Sequence, residues 1–221
     1  MTHQHAGVAV DVYSDVVCPW CYVGKRRLER AQSQLPTVAT QVIWRPFQLN
    51  PTMPQEGMDR RTYLEAKFGS QDSYRRLEEH VAVAGASEGI SFAFERMRKT
   101  PNTFLAHRLI WYAGKHDQQN FVVDALFKAF FEQGADIGSQ AVLTDLAASA
   151  GLEAARFLRT EEGAANVTAE EAAGRRLGIR AVPYFVFNKS YGISGAQPVD
   201  VFVGAITNAA ARRAEEQLTR K

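Results

Sequence analysis

The chain contains two cysteines, and they stand two residues apart as Cys18-Pro19-Trp20-Cys21. Thiols three positions apart on a helix share one face, so the two sulfurs can close into a small disulfide ring. The motif follows an alternating apolar run, Val8, Val10 and Val12, and opens a helix-compatible stretch from Pro19 to Leu35. A C-x-x-C at such a strand-to-helix junction reads as a redox pair. Pro19 suits the first helical position because it has no N–H to leave unpaired. A thiol at that end of a helix meets unpaired backbone N–H groups and the positive end of the helix dipole, and both favour the reactive thiolate.

Two further groups of residues bear on chemistry. Gly178-Ile179-Arg180-Ala181-Val182-Pro183 leads into an apolar, β-prone run, Tyr184 to Phe187. A proline at the mouth of a strand can hold a cis bond, and its missing N–H leaves the edge at Val182 free to pair with an extended peptide. Asn102, His107 and Arg108 form the second group. Asn102 can cap a helix, and His107 shares a helical face with Phe104 and Trp111, which is also the placing of a core histidine. No metal site is expected, since a structural zinc needs four ligands and the two cysteines have no histidine near them in sequence.

The elements that must position these groups can be read from periodicity. Val8 to Ser14 alternates as a half-buried strand. The helix from Pro19 to Leu35 buries Tyr22, Leu28, Ala31 and Leu35, and Thr40 to Phe47 forms a second strand ending at Pro46. From Arg60 to Glu162 the pattern is helical: Arg61 to Lys67, Gln71 to Ala84, Asn102 to Gly114, Gln119 to Glu132, Ser139 to Ala150 and Glu153 to Glu161, punctuated by glycines and Pro101. Phe121, Leu126, Phe127, Phe130 and Phe131 make an aromatic face suited to a helical core. A helix over Thr168 to Leu177 follows. Strands at Ala181 to Phe187 and Ser190 to Ser194 are joined by Asn188-Lys189, a hairpin signal. An amphipathic helix carrying Val199, Phe202, Val203, Ile206 and Ala210 closes the chain.

The order is β-α-β, many helices, then α-β-β-α. Neither flank has enough strands for a sheet alone, so a helical block inserted into one α/β domain is expected. The discontinuous domain takes residues 1–58 and 166–221, and the inserted helical domain takes 59–165.

Composition narrows the function classes. Of 221 residues, 46% are hydrophobic and 23% charged, ordinary globular usage that supports a real core. The 26 basic and 24 acidic residues nearly balance, and the basic pairs (Arg60-Arg61, Arg75-Arg76, Arg175-Arg176, Arg212-Arg213) are scattered rather than massed, so no nucleic-acid partner is expected. No apolar run reaches spanning length, so no membrane partner is expected either. Met1 to His5 lack the basic start and apolar stretch of a secretory signal, which makes a cytoplasmic location the expectation. In that compartment a lone C-x-x-C serves exchange rather than permanent cross-linking. His3 and His5 belong to this start, and His80 and His116 read as surface residues.

Four separated motifs occur in a specific order: Ser14 to Cys21, Trp44-Arg45-Pro46-Phe47-Gln48-Leu49-Asn50-Pro51, Asn102 to Arg108, and Gly178 to Pro183. Over residues 8 to 210 the chain resembles the DsbA-like thioredoxin-fold proteins, and its FrnE-like subgroup in particular. That resemblance implies a thioredoxin fold interrupted by a helical domain. It implies that Cys18 is the exposed nucleophile and Cys21 the more buried resolving thiol, and that Pro183 is cis and faces the pair across a substrate groove. Pro19, Trp20 and Val182 would border that groove, and Asn102, His107 and Arg108 match positions that line it in relatives.

Expected partners are disulfide- or thiol-containing proteins or small molecules, with glutathione a candidate co-substrate and no resident cofactor, in a monomer or homodimer. Two departures stand out. Thioredoxins and periplasmic DsbA enzymes carry a buried acid six residues before the first cysteine, where this chain has Val12, and the extra C-terminal cysteine pair of some FrnE-like relatives is missing.

Two local charges bear on Cys18. Lys25 lies roughly 10 Å away along the helix, about one Debye length, and contributes little. Asp15 opposes the thiolate if it faces the sulfur, or else shapes the turn. The rival activity is that of the kappa-class glutathione transferases and 2-hydroxychromene-2-carboxylate isomerases, which resemble this chain in topology. For their chemistry a second thiol such as Cys21 is superfluous.

Overall fold

The computed structural model describes residues 7–219, so His3 and His5 lie outside the described part. Strands β1 (Val8–Ser14) and β2 (Thr40–Pro46) pair in parallel across helix α1 (Pro19–Ser33). Strands β5 (Tyr184–Phe187) and β6 (Tyr191–Ser194) form an antiparallel hairpin, and β5 runs antiparallel to β1. The sheet order is β2-β1-β5-β6.

Alternation in β1 assigns its two faces. Val8, Val10 and Val12 are fully buried, with Val10 opposite Phe187 and Val12 opposite Phe185. This face meets α1 and the closing helix α9 (Val199–Thr219), where the Phe185 and Phe202 rings touch edge to face at 4.7 Å. On the opposite face Tyr13 packs against Gly174, where an added Cβ would lie 2.5 Å from the Tyr13 ring.

Between the two halves run α2 (Arg60–Phe68), α3 (Gln71–Ala86), α4 (Phe104–Gly114), α5 (Gln119–Phe131), α6 (Gln140–Ser149), α7 (Ala155–Leu158) and α8 (Ala164–Arg176). The architecture is therefore a thioredoxin-like core with a large helical insertion, as the element order implies. A short ribbon of β3 (Met58–Asp59) and β4 (Lys99–Thr100) is the one pairing not anticipated. Two-residue strands are too short for an alternation signal.

Several boundaries differ from expectation. The first helix stops at Ser33, leaving Leu35 half-buried beyond it, and the run from Glu153 to Glu161 yields only the single turn of α7. The strand expected from Ala181 begins at Tyr184, because Gly178 at φ 83° starts an irregular connection that lasts through Pro183. In the β5–β6 connection Asn188 and Lys189 adopt φ of 46° and 58°, the left-handed region their types suit.

The insertion docks on the core through aromatic rings. Phe127 of α5 is fully buried, stacked on Tyr22 of α1 at 5.0 Å and set edge-on to Trp44 of β2 at 6.4 Å. Phe130 and Phe131 are buried with it, whereas Phe121 is 49% exposed and lies outside the core. Its α5 neighbours Val122 and Val123 take the inward positions instead. Phe127→Ala is expected to cost about 3–5 kcal/mol through lost transfer energy and a residual cavity. The urea midpoint should fall accordingly with the denaturant slope unchanged.

Candidate active site

The β1–α1 junction holds the two thiols. Cys18 is the N-cap of α1 in extended conformation (φ −92°, ψ 111°), with Pro19 in the first turn. The turn is closed by the Cys18 N–H donating to the Asp15 carbonyl at 3.0 Å and the Cys21 N–H donating to the Cys18 carbonyl at 3.0 Å. Both cysteines are free thiols. Cys18 Sγ donates to the Val182 carbonyl at 3.6 Å across 164 residues of sequence, and the Val182–Pro183 bond is cis. Gly24 permits this approach: a Cβ there would lie 3.1 Å from Pro183 Cγ and from the Phe185 ring. The loop before β5 thus sits directly on the helix that bears the thiols.

Cys18 is only 5% exposed, not the open nucleophile expected, because the Val182 loop lies against its sulfur. Cys21 is fully buried. Burial pushes the Cys21 thiol well above its ordinary range, reinforced by Cys18, while the Ser14 hydroxyl and the Asp15 backbone act the other way.

The nearby charges are already committed. Lys25 is buried and ion-paired with Glu29 and Asp124, the latter at 3.0 Å, so its charge is compensated rather than directed at Cys18. Asp15 shapes the turn: Oδ2 accepts the Leu49 N–H at 2.7 Å, tying the segment after β2 to the redox turn.

The remaining expected site residues divide. Trp20 is half-buried beside the thiols, its ring edge-on to His80 of α3 at 5.4 Å. His80 is exposed, as expected, and its contact with Trp20 joins positions 60 apart, which nothing in the spacing of α3 reveals. Asn102 stands just before α4, where its Oδ1 accepts the Phe104 N–H at 2.9 Å and its Nδ2 donates to the Met53 carbonyl at 2.6 Å. His107 is buried on α4 with Nε2 3.4 Å from Asp15 Oδ1.

Arg108 departs from its expected place in the groove. It is 4% exposed, bonded to the Thr160 carbonyl and at 2.8 Å to the Glu162 carbonyl, and stacked on Phe157 at 5.2 Å. Those contacts anchor the α7–α8 connection to α4.

Among the described residues, no cluster of three or more His, Cys, Asp or Glu side chains is placed to hold a metal, and no helix is long and apolar enough to cross a membrane.

Residues 9–207 match the model of the DSBA-like thioredoxin domain, and the chain belongs to that family. Fold and family together define a DsbA-like thiol–disulfide oxidoreductase. The chain is 30% identical over 205 residues to the uncharacterized protein YwbO of Bacillus subtilis (strain 168), covering 91% of this chain and 96% of that one. It superimposes on a probable DsbA oxidoreductase from Streptomyces coelicolor with TM-score 0.83 and 33% identity, over 91% of this chain and 89% of the other. A 2-hydroxychromene-2-carboxylate isomerase structure matches with TM-score 0.70 over 94% and 98% of the two chains, at 14% identity, a likeness of fold.

Proposed function

We propose that this chain catalyses dithiol–disulfide exchange through Cys18 and Cys21, with Val182 and Pro183 forming the edge against which the substrate lies. The observation that carries this reading is the 3.6 Å contact between Cys18 Sγ and the Val182 carbonyl, with a second thiol one turn along the same helix. The Cys18 thiolate attacks one sulfur of a substrate disulfide, forming a mixed disulfide and expelling the other sulfur as thiolate. Cys21 then loses its proton and attacks Cys18 Sγ. The Cys18–Cys21 bond forms, the mixed disulfide breaks, and the substrate leaves fully reduced while the enzyme is oxidised by two electrons. The reverse sequence oxidises a substrate dithiol.

Trp20, which stands between the two cysteines in sequence and meets His80 edge-on, bears on which substrates reach the sulfur. Substrates are disulfide- or thiol-bearing proteins or small molecules, with glutathione a candidate co-substrate. The four motifs support a reading of the chain as FrnE-like, and on the same reading it works in the cytoplasm with one redox pair. The isomerase-like fold favours a second reading, in which Cys18 alone assists glutathione chemistry, but Cys21 has no task there.

A glutathione-coupled disulfide assay tests the proposal, with turnover expected from the wild type and its absence the contrary result. Pro183→Thr places an N–H and a hydroxyl beside Cys18 Sγ, where the pyrrolidine ring now packs on Gly24. Mixed-disulfide adducts on Cys18 should persist longer in this variant, as followed by intact-mass spectrometry after acid quench. An unchanged adduct lifetime would remove Pro183 from the substrate edge.

A further inference from the structure

β2 is one free edge of the sheet, and its register with β1 fixes which of its peptide groups look outward. At the ends of that ladder the Val8 N–H donates to the Ala39 carbonyl at 2.7 Å, and the Phe47 N–H donates to the Ser14 carbonyl at 3.1 Å. The odd-numbered residues of this segment therefore turn their amides to β1. Thr40, Val42, Trp44 and Pro46 turn theirs to the free edge.

Two of these four positions are closed. Pro46 has no N–H to offer. Trp44 is bonded by the side-chain amide of Gln119, the first residue of α5: Oε1 accepts the Trp44 N–H at 2.8 Å, and Nε2 donates to the Trp44 carbonyl at 3.2 Å. One side chain thus supplies the acceptor and the donor that a neighbouring strand would supply. The rung before it is open, since the N–H and C=O of Val42 have no partner among the described residues. A cavity of about 490 Å³ runs along this edge, with β2 as one wall and Trp111 of α4 and Asn120 and Val123 of α5 in the other. It includes none of Cys18, Cys21, Val182 or Pro183.

We propose that this groove is a second binding site, which takes an extended segment of another polypeptide as an added strand beside β2. The proposal is independent of the exchange reading, and the ligand needs no cysteine. Open strand-edge groups are matched by an extended backbone, which carries donors and acceptors at a strand's own spacing. Gln119 already makes that pairing one rung along. From Thr40 to Trp44 the edge runs about 13 Å at the usual rise of a strand, which suits a short segment. Its side chains would alternate between two surroundings. On one face of the sheet Trp44 meets Phe127 of α5, and on the other Arg45 pairs with Glu170 of α8. A segment of alternating apolar and polar residues fits both. The opposite edge, β6, has Tyr191, Gly192 and Ser194 exposed. Hydrogen bonds made there compete with water, whereas those in a walled groove are stronger.

A fluorescently labelled, cysteine-free hexapeptide of alternating valine and threonine is the probe, read by anisotropy against the full chain. Saturable binding in the micromolar range is expected. Two versions N-methylated at alternate residues, one in each register, should differ in affinity by at least about tenfold, because only one of them loses the donors that face β2. In Val42→Pro the edge N–H is removed at a position where it serves no bond to β1, which edge strands tolerate. That variant should keep the wild-type circular dichroism spectrum and bind the peptide at least about tenfold more weakly.

Absence of saturable binding to the wild type overturns the proposal. So does equal affinity for the two methylated peptides, or wild-type affinity in Val42→Pro. Should Val42→Pro not fold, hydrogen exchange of the Val42 amide in the wild type decides, as read by NMR. Fast exchange that slows on adding the peptide is expected, and a rate that the peptide leaves unchanged overturns the site. An amide protected without peptide in a protein that sediments as a dimer would assign the edge to a second copy of the chain, and would likewise overturn it.

Discussion

Cys18→Ser is expected to reduce turnover to the uncatalysed background and to eliminate every substrate adduct. A serine hydroxyl does not ionise near neutral pH and cannot open a disulfide, whereas a thiolate does so directly. The substitution is nearly isosteric in a site that is 5% exposed, so folding should survive and the loss should be chemical. Insulin reduction and a glutathione-coupled assay measure the first consequence, and intact-mass spectrometry after incubation with a peptide disulfide measures the second. Appreciable turnover in this variant would move the nucleophile elsewhere.

Cys21→Ser has the second large effect, and of a different kind. Attack by Cys18 remains, but the mixed disulfide has no neighbouring thiol to release it, so the adduct should accumulate to one per chain. Turnover should then depend on the concentration of added thiol, because only an external thiol can resolve the intermediate. Wild-type activity at low added thiol would favour the isomerase-like reading, for which one cysteine suffices. The burial that holds the Cys21 thiol high in pKa sets the sign of the pH effect. In the wild type resolution should be slowest in acid and accelerate as pH rises, since the thiolate is the attacking species.

The sequence exposes the parts of this site that depend on local order. The Cys18–Cys21 pair, the β1 alternation of Val8, Val10 and Val12, and the proline ahead of β5 are all set by neighbours within a few residues. The insertion is legible because strand periodicity gives way to helical periodicity near Arg60 and returns near Tyr184. What stayed hidden depends on packing between distant segments. Cys18 is covered because Val182 arrives from 164 residues away, and no local pattern reports that. Phe121 looked like part of an aromatic face, yet a helix has room for only one buried stripe, and Val122, Val123 and Phe127 fill it.

His107 and Arg108 show the limit most sharply. The family resemblance matches both to groove-lining positions while spacing also allows His107 as a core histidine, and the helical turn sends the two to different tasks. His107 faces the redox turn at Asp15, while its neighbour Arg108 anchors carbonyls of the α7–α8 connection. Asp15 itself allowed two readings from sequence, and the Leu49 N–H on its carboxylate selects the one that shapes the turn.

The most direct test of the redox pair is an equilibrium titration of the wild type in buffers of graded reduced and oxidised glutathione. Quenching with an alkylating reagent and reading the intact mass counts the remaining thiols. Dithiol exchange requires Cys18 and Cys21 to disappear together, as a loss of two hydrogens, along a two-electron curve of about 30 mV per tenfold change in ratio. A chain that instead accumulates a single glutathione on Cys18 while Cys21 stays alkylatable at every poise would contradict it.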